Sequence, residues 1–130
     1  MIAVLMGGYS AEREISLLSG KAVYDALCNS KLDCFVFDLT KDNLDELWSR
    51  EFDQAFIVLH GRGGEDGFIQ SELEKNNILY TGSGAKASEL CMDKAATKDL
   101  WNNHNLPLSA SVVATKGRDL DTTTFPLPWA

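Results

Sequence analysis

The 130-residue sequence has few cysteines and no long apolar run, and each shortage excludes a class of protein. Cys28, Cys34 and Cys91 are an odd number without CxxC spacing, which favours reduced thiols over a disulfide framework or a zinc site. No apolar run approaches the roughly 20 residues that cross a bilayer, and no basic region precedes the short apolar segment at the N-terminus. We therefore expect a cytoplasmic protein that neither enters a membrane nor carries a signal peptide.

The chain also has fewer basic than acidic residues. Twelve lysines and arginines stand against 19 acidic residues, for a net charge of −7. General nucleic-acid binding needs a basic surface, so we expect no nucleic-acid partner. The apolar fraction of 45% and the charged fraction of 24% are ordinary for a globular protein with its own core.

Short apolar runs alternate with helical patterns along the chain. They predict strands over residues 2–6, 34–37, 54–59, 78–80 and 109–115. The predicted helices cover residues 42–50, 67–75, 85–91 and 94–103, preceded by a first helix capped by Ser10. An apolar or small stripe on that first helix can lie on the sheet: Ile15, Leu18, Ser19, Ala22, Val23, Ala26 and Leu27. This alternation is typical of an α/β fold, a parallel sheet with helices on both faces and ligands at the carboxyl ends of its strands.

Two glycine-containing loops follow predicted strands and should face one crevice. The loop HGRGGEDG, residues 60–67, holds four glycines, His60 and three charged side chains at a strand's carboxyl end. Asp66 in this loop is open to a simpler role as a helix N-cap. The loop GGYSAERE, residues 7–14, places Glu12 in a first helical turn, where it either complements the helix dipole or holds a ligand ammonium.

Two later segments are weaker candidates. Lys94 lies in the first turn of a helix, where the dipole disfavours a cation, so it is either solvated or placed for an anion such as phosphate. Residues 80–83, YTGS, are most simply turn chemistry.

Together these segments resemble one family. MGGYSAEREISLLSG, LHGRGGEDGFIQSELE, YTGSGAKAS and CMDKAATKDLW occur in the order and spacing of the N-terminal part of D-alanine–D-alanine ligase, an ATP-grasp enzyme, over residues 2–130. The resemblance implies a Rossmann-like preATP-grasp domain over residues 1–108, then the start of a truncated central ATP-grasp domain over residues 109–130. It also implies a cytosolic homodimer of peptidoglycan synthesis that uses ATP and Mg²⁺, or Mn²⁺, to join two D-alanines through an acylphosphate.

The resemblance also implies roles for individual residues. Glu12 matches the glutamate that holds the ammonium of the first D-alanine, and His60 matches the histidine near the reacting carboxylate; both count as catalytic. Ile15 packs near the substrate's methyl group, and Gly8 and Ser10 belong to the same substrate-side loop. Lys94 matches a lysine on ATP phosphate. Tyr9 stands where the family has threonine.

The family's metal-binding carboxylates and most of its ATP-binding residues come later in the chain than residue 130, so no metal ligand is expected here. We therefore expect a fragment that is inactive alone. Residues 125–130, FPLPWA, form an apolar end typical of a truncated strand. Two alternatives remain: a non-catalytic domain that binds a small amino acid or anion, and a dimerisation module.

Overall fold

The computed structural model describes residues 1–117, which alternate strands and helices as the sequence predicts. The strands are β1 (Ile2–Gly7), β2 (Cys34–Leu39), β3 (Gln54–Ile57) and β4 (Leu79–Tyr80). The helices are α1 (Arg13–Asn29), α2 (Leu44–Trp48), α3 (Phe68–Lys75), α4 (Ala85–Met92) and α5 (Lys94–Asn103).

All four strands are parallel, in the order β2-β1-β3-β4. The connection from β1 leads to β2 on one side of it, whereas β3 lies on its other side. The strand order therefore reverses between β1 and β3. In open parallel sheets ligands bind at such a reversal, beyond the carboxyl ends of the strands. Both glycine loops begin there.

Helices cover both faces of the sheet, as predicted. On one face Leu5 of β1 belongs to a buried core with Leu47 of α2 and Leu73 of α3, none of which is exposed to solvent. On the other face α1 packs against β1. A Cβ added to Gly20 of α1 would lie 2.4 Å from Cβ of Met6, so the helix backbone touches the strand's side chains.

Helix α1 presents a different face to the sheet from the predicted one. Its buried residues are Ser16 and Gly20, while Ile15 is 57% exposed and Leu18 is 69% exposed. Small residues lie on this face because they let the helix approach the strand closely. A search for apolar periodicity does not detect this property of small residues. The predicted N-cap was also wrong, since Glu12 occupies that position and Ser10 lies before it.

The chain divides into two compact units, one over Met1–Met92 and one from Asp93 onward. The predicted strand over residues 109–115 was wrong: these residues are exposed and form no strand, since no strand pairs with them in the described part of the chain. The predicted strand entry at residues 125–130 lies outside the described residues. Among residues 1–117, no helix is both long and apolar enough to cross a membrane.

Candidate functional site

A buried serine ties together the starts of the two loops. Ser16 Oγ of α1 accepts a hydrogen bond from the Gly7 N–H at 2.9 Å and donates one to the Val58 carbonyl at 2.7 Å. The Val58 N–H in turn donates to the Leu5 carbonyl at 2.9 Å. The ends of β1 and β3 are thereby held in fixed register. The sequence carried no signal for Ser16 beyond a small polar residue inside a helix.

The two loops touch through Ser10. Its hydroxyl donates a 2.7 Å hydrogen bond to the His60 carbonyl and accepts the Glu12 N–H at 3.1 Å. A Cβ on Gly61, whose φ is +66°, would lie 2.9 Å from Glu12 Oε2, so the Glu12 carboxylate rests against the second loop's backbone. The structure thus brings the two loops into contact through Ser10, Glu12 and the His60 carbonyl.

Tyr9 fills the space that the second loop leaves at Gly63. That glycine has a φ of +89°, and a Cβ there would lie 2.5 Å from the Tyr9 hydroxyl oxygen. Lys41 Nζ lies 5.4 Å from the Tyr9 ring centroid, in cation–π range. Gly8 is buried against Leu59. The Tyr9 ring is therefore packed against the second loop.

His60 combines partial burial with a free ring nitrogen. Its side chain is 35% exposed, and Nδ1 lies 3.8 Å from Glu65 Oε1, too far for a hydrogen bond. Nε2 is buried and has no hydrogen-bond partner among residues 1–117. Buried polar nitrogens are normally paired, so this unpaired atom is an exception that the described residues do not explain.

The other acidic residue of the second loop is structural. Asp66 Oδ2 accepts the Gly63 N–H at 2.9 Å and Oδ1 accepts the Phe68 N–H at 3.2 Å. Asp66 therefore braces the turn into α3, although the N-cap position itself belongs to Gly67. The buried Gln70 adds a 2.7 Å hydrogen bond from its amide nitrogen to the Gly64 carbonyl.

An ion pair that sequence reasoning missed holds the first loop. Arg13 and Asp38 form two parallel 2.7 Å hydrogen bonds, and Arg13 Nη1 also donates to the Gly8 carbonyl at 3.1 Å. The hydrogen bonds from Arg13 to Asp38 are the main cause that raises the pKa of the arginine. The pair joins the loop after β1 to the end of β2. Two charges 25 residues apart give no sequence signal of pairing.

The two remaining predicted site residues, Ile15 and Lys94, lie in different units of the chain. Ile15 lies three residues after Glu12, so the two share one side of the start of α1. Lys94 is the first residue of α5 in the second unit, and it is exposed. As predicted, Asp93 caps α5, accepting the N–H groups of Ala95 at 2.9 Å and Ala96 at 3.0 Å. Within residues 1–117 no three His, Cys, Asp or Glu side chains converge as a metal site.

The chain is similar in sequence to known D-alanine–D-alanine ligases. Residues 1–49 match the family described as D-ala D-ala ligase N-terminus. The chain is 57% identical over 130 residues to a D-alanine–D-alanine ligase of Vesicomyosocius okutanii subsp. Calyptogena okutanii, covering 100% of this chain and 44% of the relative. It is 60% identical over 129 residues to that of Ruthia magnifica subsp. Calyptogena magnifica, covering 99% of this chain and 44% of that protein.

A solved structure shows the same fold. The D-alanine–D-alanine ligase of Bacillus anthracis complexed with ATP aligns with a TM-score of 0.80 at 32% identity, over 92% of this chain and 41% of that one. The fold is thus the N-terminal preATP-grasp arrangement of parallel strands and helices. The chain spans less than half the length of the curated relatives it matches. Its sequence matches the N-terminal portion of members of the D-alanine–D-alanine ligase family.

Proposed function

We propose that this chain forms the substrate-side wall of a D-alanine–D-alanine ligase, an enzyme that joins two D-alanines with ATP in peptidoglycan synthesis. The observation that carries the proposal is the 2.7 Å hydrogen bond from Ser10 Oγ to the His60 carbonyl. It fixes the loop with Glu12 against the loop with His60 at the point where the strand order reverses. In this proposal residues 1–108 are the substrate domain and residues 109–130 begin the ATP-grasp domain.

The two side chains complement the two charged ends of an amino acid. The exposed Glu12 carboxylate supplies an acceptor for a ligand ammonium, and charge-assisted hydrogen bonds of this kind are the strong ones. The partly exposed His60 ring, whose Nε2 has no hydrogen-bond partner among residues 1–117, supplies a hydrogen-bonding group for the substrate's carboxylate end. Ile15, on the same side of α1 as Glu12, adds an apolar contact for the alanine methyl group. Gly8 and Ser10 keep the loop backbone in place around them.

ATP and magnesium enter this proposal differently. The relative from Bacillus anthracis is complexed with ATP, and Lys94 is an exposed cation suited to a phosphate oxygen. ATP supplies the phosphoryl group that activates the first substrate's carboxylate. The donor set of residues 1–117 does not fit Mg²⁺ or Mn²⁺, which prefer several convergent oxygen ligands. The proposal therefore places the metal site elsewhere in the enzyme. A cytoplasmic location and homodimerisation are further parts of the proposal, and both rest on the resemblance to the ligase family.

A chimera tests the proposal directly. Residues 1–130 of this chain replace the matching 44% of the Vesicomyosocius ligase, and the product is assayed for ATP-dependent formation of D-alanyl-D-alanine. We expect activity in the chimera and none from the 130-residue chain alone. A folded chimera without activity would contradict the ligase proposal. Turnover by the chain alone at the chimera's rate would contradict its role as one wall of a larger site.

A titration separates the ligase part from a purely structural module. We expect D-alanine to shift the amide resonances of residues 7–14 and 60–67 of the 130-residue chain in NMR spectra, and L-alanine to shift them much less. Binding by the chain combined with an inert chimera would favour a non-catalytic amino-acid-binding domain. Equal shifts with both enantiomers, or shifts confined to other residues, would argue against a preformed D-alanine site.

A further inference from the structure

Two cysteines that are separated in sequence meet on the surface of the first unit. Cys28 lies in the last turn of α1 and Cys34 is the first residue of β2. Their sulfur atoms are 3.6 Å apart and both carry free thiols. A disulfide has an S–S distance near 2.05 Å, so the sulfurs need to approach by about 1.5 Å to form one.

The backbone around the pair is held in place by hydrogen bonds. Ser30 N–H donates to the Ala26 carbonyl at 3.0 Å and Lys31 N–H donates to the Cys28 carbonyl at 2.9 Å, closing the end of α1. On the other side the Ile2 N–H donates to the Asp33 carbonyl at 2.9 Å, which fixes the start of β2 beside β1. The closeness of the thiols is therefore a property of the fold rather than of a loose loop.

The two thiols differ in access. Cys28 is exposed, while Cys34 is half-buried. Burial raises the pKa of the Cys34 thiol, and its hydrogen bond with Cys28 raises it further. Reactivity of a cysteine follows its thiolate form and its exposure, so Cys28 is the residue that a reagent meets first and Cys34 is the one that responds. The third cysteine, Cys91, is exposed and has no cysteine beside it among the described residues.

We propose that Cys28 and Cys34 are a thiol pair that closes reversibly to a disulfide when it meets a small-molecule disulfide such as oxidised glutathione. The Cys28 thiolate attacks one sulfur of the reagent, which breaks the reagent's S–S bond and releases one glutathione thiolate. The Cys34 thiolate then attacks Cys28 Sγ, forms the internal S–S bond and releases the second glutathione thiolate. Each cysteine loses one proton, and the two electrons they give up reduce one glutathione disulfide to two thiols.

The pair lies at the amino-terminal end of β2, where Cys34 begins the strand. The two glycine loops lie at the opposite end of the parallel sheet, because they follow the carboxyl ends of β1 and β3. We therefore expect closure to leave the contacts of Glu12 and His60 unchanged. This proposal is thus independent of the proposed ligase function, and its test does not depend on catalytic activity.

The test is oxidation of the 130-residue chain followed by thiol counting and peptide mapping. After incubation with oxidised glutathione, we expect one internal link between the peptides holding Cys28 and Cys34 and a mass loss of two hydrogen atoms for that link. Cys91 should appear separately, either free or carrying one glutathione. Dithiothreitol should restore all three thiols.

Three variants make the result decisive. Cys91→Ser should still form the link at an unchanged rate, while Cys34→Ser should stop at a stable mixed disulfide on Cys28. Cys28→Ser should leave Cys34 reacting far more slowly than Cys91, because it is the less exposed thiol. The proposal is overturned if the unsubstituted chain accumulates glutathione on both Cys28 and Cys91 without the internal link. It is equally overturned if Cys91 reacts fully while Cys28 and Cys34 both stay free.

Discussion

Ser16 Oγ and the Val58 carbonyl oxygen lie 2.7 Å apart, and both residues are buried. The same hydroxyl accepts the Gly7 N–H, so a single side chain on α1 satisfies the last groups of two neighbouring strands. Both glycine loops leave the sheet from these two points. The relative position of Glu12 and His60 therefore depends on a residue that belongs to neither loop.

Replacing Ser16 with alanine should destabilise the chain. The change leaves the buried Gly7 N–H without its partner, and an unsatisfied buried group costs about 1–3 kcal/mol. Ser19→Ala, on the same helix, is the matched control, since it makes the same change in helix propensity without touching these bonds. Urea unfolding of both variants measures the difference. Equal free energies of unfolding for the two would show that the Ser16 bonds contribute nothing net.

Gly63 should not tolerate a side chain. At its φ of +89° an alanine costs about 1–2 kcal/mol in backbone strain, and its Cβ would also meet the Tyr9 hydroxyl at 2.5 Å. Gly82→Ala is the control, because its φ is +110° and nothing lies within 4 Å of the added Cβ. We expect Gly63→Ala to lower the free energy of unfolding by about 1–3 kcal/mol more than Gly82→Ala does.

A second substitution assigns that excess to one contact. In the Tyr9→Ala background the ring is gone, so adding Gly63→Ala should cost only as much as Gly82→Ala does. A double-mutant cycle in urea measures this coupling. An unchanged cost of Gly63→Ala without the Tyr9 ring would show that the loop backbone, rather than packing between the loops, sets the requirement for glycine.

Much of the fold was predictable because it rests on local pattern. The strands appear where short apolar runs occur, and Asp93 caps α5 at the predicted position because N-cap chemistry acts within a few residues. The face of α1 was not predictable, since the decisive property of Gly20 is the absence of a side chain where Met6 comes close. The strand predicted over residues 109–115 failed because pairing needs a neighbour, which alternation alone does not supply.

Some features of the candidate site were likewise predictable from the sequence, and others were not. The two loops were recognisable by their glycines and charges, and their meeting followed from the parallel topology. The groups that hold them were not recognisable. Arg13 and Asp38 pair across 25 residues, and Ser16 bonds to Val58 across 42 residues. Long-range contacts of this kind depend on how the strands are ordered, which a single sequence states only indirectly.

The hydrogen bond between Tyr80 and Glu74 should make stability depend on pH in two separate ranges. The Tyr80 hydroxyl, and after it the Ala85 N–H, lower the pKa of Glu74 below its ordinary 4.5. This contribution is present above pH 4.5 and is lost as the pH falls below it. Burial, and after it the bond to Glu74, raise the pKa of Tyr80 above 10.0. That contribution is present below pH 10.0 and is lost as the pH rises.

Two variants separate these ranges. Glu74→Gln should flatten the acidic fall in stability and leave most of the alkaline fall, because burial is the main cause of the Tyr80 shift. Tyr80→Phe should flatten both, since it removes the phenol and the main partner of Glu74. Free energies of unfolding from urea titrations at a series of pH values provide the measurement. An alkaline fall that disappears with Glu74→Gln would mean that the bond to Glu74, rather than burial, dominates the Tyr80 shift.

Glu12 should matter for substrate binding and little for folding. Its side chain is exposed and rests against Gly61 without a charged partner among the described residues, so Glu12→Gln removes a charge offered to solvent or ligand. A hydrogen bond to a charged group is worth about 1.5–3 kcal/mol, which corresponds to a rise in KM for D-alanine of roughly tenfold or more in the active chimera. Glu14→Gln, an exposed carboxylate two residues further along, should change KM by less than about twofold. Thermal unfolding of both variants should match that of the parent. If the two substitutions raise KM equally, Glu12 acts only through the general negative charge at the start of α1, and the ammonium site lies elsewhere.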